Sequence, residues 1–117
     1  MKNFTLILAL LIVCSFTNIY SQNNDKKKIE FNNITELIDV TYYYNDGTIK
    51  QQGSFNTSGL PHGSWTSYDQ NGNKLCIGKY KNGKKTGKWY FFNLNKVESV
   101  YFDGGSITSI SNEKLSE

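Results

Sequence analysis

Glycines and aromatic residues recur along this chain at a nearly fixed spacing, and that recurrence narrows its possible folds sharply. Tyr43, Gly47 and Gly53 return 25 residues later as Tyr68, Gly72 and Gly78. Gly63, Trp65 and Tyr68 return 24 residues later as Gly87, Trp89 and Phe92. The one-residue difference falls between Phe55 and Gly63, in Asn56-Thr57-Ser58-Gly59-Leu60-Pro61-His62. That stretch has the composition of a loop, and loops absorb insertions at little cost. The unit reads Gly-x-aromatic, a Gly-containing turn, Gly-x-Trp-x-x-aromatic, then an Asn-Gly-like turn. Two units are complete. A partial one precedes them at 38–52, and a decayed one follows at 93–110, where Tyr101-Phe102-Asp103-Gly104 echoes Tyr80-Lys81-Asn82-Gly83. Self-similarity of this kind marks a repeat architecture.

Glycines and aromatics in a short chain favour sheet with tight turns over helix. Asp46-Gly47 and Asn71-Gly72 are signals for two-residue hairpin turns. A turn centred on Asn71-Gly72 pairs Tyr68 with Leu75 and Trp65 with Gly78. One centred on Asp46-Gly47 pairs Tyr44 with Ile49 and Val40 with Gly53. In the lysine-rich hairpin, Tyr80 is expected opposite Trp89, and Gly78 opposite Phe91. A ring lying over a bare glycine across a strand pair stabilises a sheet. The expected fold is therefore all-β: an elongated antiparallel meander of hairpins forming one twisted layer.

Strand alternation sorts the side chains into two faces. Val40, Tyr42, Tyr44, Ile49, Phe55, Trp65, Cys76, Tyr80, Trp89, Phe91, Val100 and Phe102 share the more apolar one. Tyr43, Ser54, Thr66, Tyr68, Leu75, Ile77, Lys79, Lys81, Lys88, Tyr90 and Phe92 share the other, where lysine stems lie beside rings.

The segments Gly63-Ser64-Trp65-Thr66-Ser67-Tyr68-Asp69-Gln70-Asn71-Gly72 and Gly78-Lys79-Tyr80-Lys81-Asn82-Gly83-Lys84-Lys85-Thr86-Gly87-Lys88-Trp89 resemble the bacterial variant of the MORN repeat. The likeness covers about residues 38–104, with Asn95-Lys96 in place of a final Asn-Gly and no third Gly-x-Trp, as in a capping unit. The resemblance implies a hairpin meander. Proteins of this kind are often labelled antitoxin-like, and MORN repeats elsewhere are associated with membrane or protein scaffolding, sometimes with acidic lipids.

Residues outside the repeats are read from their chemistry. Lys2 followed by the apolar run Phe4–Val13 and a polar stretch ending at Ser21 has the order of a signal peptide, covering 1–21. The run falls short of the about 20 apolar residues that a membrane-spanning helix needs. Cys14 follows Val13 rather than a small residue, which argues against lipid attachment there. Removal of the signal leaves Cys76 as the sole cysteine, so no internal disulfide can form. Residues 22–37 read as a polar linker and an ambiguous segment. In it, Asn33-Ile34-Thr35-Glu36 could cap a short helix, or Ile29 and Phe31 could lie on an extra strand. The repeats are expected at 38–110, and 111–117 as a flexible polar tail. The expectation is an exported protein of the cell envelope with no span after signal removal.

The chemistry is sparse. All 13 basic residues are lysine, and losing Lys2 lowers the formal charge from +3 to +2. That mild charge, and the absence of the arginine fork, argue against a nucleic-acid partner. His62 is the single histidine, which excludes a multi-histidine metal site, and its loop position argues against a His-based triad. The carboxylates Asp39, Asp46, Asp69, Glu98 and Asp103 are scattered. No catalytic, cofactor or metal residues are assigned. The repeat positions Gly53, Gly63, Trp65, Tyr68, Gly72, Gly78, Tyr80, Gly83, Gly87, Trp89 and Phe92 carry structure. The candidate binding patch is Lys79, Lys81, Lys84, Lys85 and Lys88. Its functional reading is contact with an acidic lipid, polysaccharide or protein; its alternative is solubility and protection of a strand from edge pairing. These expectations define a non-enzymatic binding or scaffold module, with an antitoxin- or immunity-type protein as the second reading.

Overall fold

A computed structural model describes residues 26–114. The signal-peptide reading of 1–21 and the cysteine at 14 lie outside them. The eight strands are β1 (Lys27–Asn32), β2 (Leu37–Tyr43), β3 (Ile49–Phe55), β4 (Gly63–Tyr68), β5 (Lys74–Lys81), β6 (Lys84–Asn93), β7 (Lys96–Asp103) and β8 (Ser106–Lys114). They form one antiparallel meander in sequence order, β1 through β8, and the sheet does not close. Eight strands at about 4.8 Å spacing give a sheet about 34 Å wide. The extents of 40 × 33 × 27 Å show a third dimension far thicker than one flat layer, so the sheet is strongly twisted.

The expected faces are recovered. Val40, Trp65, Cys76, Tyr80, Trp89, Phe91, Val100 and Phe102 form the core on one face, here called inner, with Tyr42, Phe55 and Leu75 packed against it. Two residues depart from that expectation: Ile49 is exposed, and Leu75, expected on the other face, packs against the core where the β4–β5 register shifts.

The ring-over-glycine device is present twice, with partners shifted from those expected. Trp65 does stand in register with Gly78. Its indole, however, lies over Gly53, where an added Cβ would come within 2.0 Å of Trp65 Cδ2. The space beside Gly78 is filled by Trp89, whose Cδ2 would lie 1.9 Å from such a Cβ. Each indole thus covers the glycine of the preceding strand. Each also donates its Nε1–H to the carbonyl following that glycine: Trp65 to Ser54 O and Trp89 to Lys79 O, both at 3.1 Å.

A bulge makes this possible. Ile77 pairs with Tyr90 and Lys79 with Thr86, so Gly87, Lys88 and Trp89 all stand opposite Gly78. Extra residues on one strand bend it and increase its twist. Gly87, with φ +71°, supplies the backbone conformation that the bulge needs, and Gly63, with φ +86°, does so in the first unit. The expected pairs Tyr80–Trp89 and Gly78–Phe91 are therefore replaced by Tyr80–Lys85 and Cys76–Phe91.

Two turns also differ from expectation. Asp69 N–H donates to Asn73 O, and Gly72 N–H donates to Asp69 O. With Gly72 at φ +85° this is a type I turn followed by a glycine bulge. Tyr68 consequently pairs with Lys74, not Leu75. The Asp46-Gly47 turn repeats the pattern and places Tyr43, not Tyr44, opposite Ile49. Asn82-Gly83 and Gly104-Gly105, with positive φ at both residues of each pair, are the two-residue turns with the primed backbone twist.

The linker reading of 22–37 is corrected at its end. Lys27 and Lys28 belong to β1, which pairs with β2 along its length. The helix alternative is not formed. Asn32 Oδ1 accepts the N–H groups of Ile34 and Thr35, and Glu36 turns the chain at φ +58°. Neither is the polar tail loose from Ser111, because β8 pairs with β7 as far as Lys114.

Candidate functional site

The β5–β6 hairpin determines where the candidate lysines go. Alternation from the core residues Cys76, Tyr80, Trp89 and Phe91 sends Lys79, Lys81, Lys84, Lys88 and Tyr90 to the outer face. Lys81 pairs with Lys84 beside the Asn82-Gly83 turn, and Lys79 pairs with Thr86. Lys79, Lys81 and Lys84 are exposed, and Lys88 is half-buried. Lys88 pairs with Tyr101 of β7. Its Nζ sits 5.1 Å from the ring centroid of Tyr90 and 5.7 Å from that of Tyr101, within cation–π range.

Lys85 does not join this group. It lies on the inner face, with its Nζ 5.4 Å from the Trp89 centroid and 5.6 Å from that of Phe102. Its contact is with the edge of the aromatic core rather than with solvent at the hairpin tip. Tyr80 and Phe102 pack edge-on against Trp89, at centroid distances of 5.0 Å and 5.9 Å.

Among the described residues, Lys79, Lys81, Lys84 and Lys88 make no ion pair, the one ion pair there being Lys28–Glu30 at 3.3 Å on β1. Four ammonium groups in no ion pair, with two tyrosine rings beside Lys88, make a positive surface on the outer face. Such a surface attracts anionic groups.

The opposite end of the outer face has a different character. A shallow groove of about 400 Å³ is lined by Lys28, Glu30, Asp39, Thr41, Gln52 and Ser54, among others. Asp39 is held there by Asn32 Nδ2 at 3.1 Å and Ser54 Oγ at 2.6 Å. The sequence reading did not find this groove. Its signal was an aspartate inside a strand, aligned by register with Glu30 on one side and Ser54 on the other.

Other sequence candidates have structural partners. His62 Nδ1 accepts the Asn82 N–H at 3.1 Å, tying the loop before β4 to the β5–β6 turn. Gly83 N–H donates to Pro61 O, and Gly105 N–H donates to Lys85 O, one unit further on. Cys76 is buried and packed in the core. Among the described residues no cluster of His, Cys, Asp and Glu could hold a metal ion, and no helix is long and apolar enough to cross a membrane.

No protein-family model matches the sequence, and no curated protein matches it.

Proposed function

We propose that this chain is an exported, non-catalytic module of the MORN-variant kind, acting as a binding or scaffold element of the cell envelope. Its working surface is the outer face of β5–β7, and its target is an acidic macromolecular surface. The observation that carries this reading is the cluster of Lys79, Lys81, Lys84 and Lys88, in no ion pair among the described residues and gathered on the outer face of one hairpin. The tyrosines add flat amphipathic area beside the charge. A lysine near an anionic membrane surface contributes about 1 kcal/mol. Reversing three of them is therefore expected to weaken adsorption to anionic vesicles at least about 100-fold.

The test compares two triple variants of equal charge. One carries Lys79→Glu, Lys81→Glu and Lys88→Glu. The other carries Lys26→Glu, Lys50→Glu and Lys96→Glu, all at exposed sites outside β5 and β6. Co-sedimentation with phosphatidylserine vesicles, and with an acidic polysaccharide, should fail for the first variant and survive in the second. Equal losses in both would reduce the effect to net charge, and unchanged binding by the first would end the proposal.

A further inference from the structure

β1 is one border of the sheet, a six-residue strand that carries Lys27, Lys28 and Glu30 beside two apolar side chains. Among the described residues, nothing pairs with its outer side. Tyr43 N–H donates to Lys26 O, which fixes the phase of the β1–β2 ladder. In an antiparallel ladder, hydrogen-bonding residues alternate. The backbone groups of Lys28, Glu30 and Asn32 therefore point toward β2, and those of Lys27, Ile29 and Phe31 point outward. Ile29 and Phe31 are each 56% exposed. Both lie on the inner face, opposite Val40 and Ile38. An edge with open backbone groups and apolar side chains is a template for another strand.

The charge pattern of β1 selects the partner. Outward residues must meet outward residues, so two β1 strands can pair antiparallel only in alternate registers. Centring on Lys28 sets Lys28 against its own copy, and centring on Glu30 sets two carboxylates together. Centring on Ile29 sets Lys28 against Glu30 of the second chain, twice. Those are non-hydrogen-bonded pairs, in which side chains approach most closely. The same register places Ile29 on Ile29 and the Lys27 stem along Phe31. Thus the strand is complementary to itself in charge, backbone and apolar contact at one register.

We infer that this protein forms a twofold dimer in which β1 pairs antiparallel with β1 of a second copy about Ile29, joining two eight-stranded sheets into one. A twofold contact of this kind closes on itself and does not propagate.

Charge reversal tests it. Purified protein is examined by sedimentation equilibrium over a wide concentration range. The native chain should show a reversible monomer–dimer equilibrium with no larger species. Lys28→Glu creates two carboxylate pairs across the dimer axis, and Glu30→Lys creates two ammonium pairs. Each alone should weaken dimerisation at least about tenfold. The double variant carrying both changes should recover it. An equimolar mixture of the two single variants should form a heterodimer. One chain then presents carboxylates at positions 28 and 30, the other presents ammonium groups at both, and every facing pair is of opposite charge. The side chains at these two positions are exposed in both chains, and circular dichroism should show that every variant folds. A chain that stays monomeric throughout, mass growth beyond the dimer, or single variants that dimerise as well as the native chain would each overturn the inference.

Discussion

A single methyl group placed on Gly78 would sit 1.9 Å from Trp89 Cδ2, inside the indole rather than beside it. Trp89 cannot yield, because it is buried between Tyr80 and Phe102 and its Nε1–H is committed to Lys79 O. Gly78→Ala is therefore expected to destabilise by about 3 kcal/mol, the upper range of overpacking changes. Gly47→Ala is a useful contrast. Its Cβ would meet nothing within 4 Å, and only the positive φ of 89° opposes it, for about 1–2 kcal/mol. Urea denaturation should rank the two in that order. Glu98 poses the reverse problem. It is 5% exposed, stands opposite Phe91, and its Oε2 has no hydrogen-bond partner. A buried acceptor without a donor costs stability. Glu98→Met keeps the length, removes the unsatisfied oxygen, and should raise stability by about 1–2 kcal/mol in the same measurement.

At the scale of elements, the turns explain both what could be read in the sequence and what could not. The repeat spacing placed the hairpins and located the extra residue in the β3–β4 loop. The apolar face followed, because the bulge at Gly87 adds two residues and so preserves alternation. Register near the turns was not legible. Asp-Gly and Asn-Gly suit both a two-residue turn and a three-residue loop with a glycine bulge. The choice at Asn71-Gly72 rests on Asp69, two residues earlier, whose Oδ1 accepts the N–H groups of Asn71 and Asn73, both at 2.9 Å. Asn56 does the same for Ser58 and Leu60 in the β3–β4 loop. The candidate lysines were legible as a cluster, but the turn at Asn82-Gly83, which puts Lys85 inside β6 on the inner face rather than at the tip, was not. The Asp69 bonds predict a pH dependence. Backbone donation from Asn73 leads in holding its carboxyl below the ordinary value of 3.8, and the Thr48 hydroxyl leads in lowering that of Asp46. A depressed folded-state value means that the stabilisation is present above the unfolded value and lost as pH falls through the folded one. The unfolding midpoint should thus drop as pH goes below about 3.8. Asp69→Asn keeps the acceptor, as Asn56 shows, and should hold most of the neutral-pH stability while flattening that acid limb. Asp69→Ala should lose both, in thermal melts followed from about pH 2 to pH 7.

For the whole molecule, the meander order means that each strand packs chiefly on the strands just before and after it. Stability in such arrays is close to a sum of local terms and neighbour interfaces, so the ends open before the middle. The deepest burial is at Trp89, Phe91 and Val100 on β6 and β7, which pair without a break from Gly87–Phe102 to Asn93–Lys96. β1 contributes two half-exposed apolar side chains and one exposed ion pair. Hydrogen exchange, measured at a concentration dilute enough to keep the chain monomeric, should therefore give a gradient. Backbone amides of β5, β6 and β7 should exchange slowest. Those of β1 should exchange orders of magnitude faster, with Ile29 and Phe31 faster than Lys28 and Glu30, because only the latter pair donates toward β2. A uniform rate across all hydrogen-bonded amides would instead mean that the sheet opens as one unit and that the two Trp-on-Gly locks couple every strand.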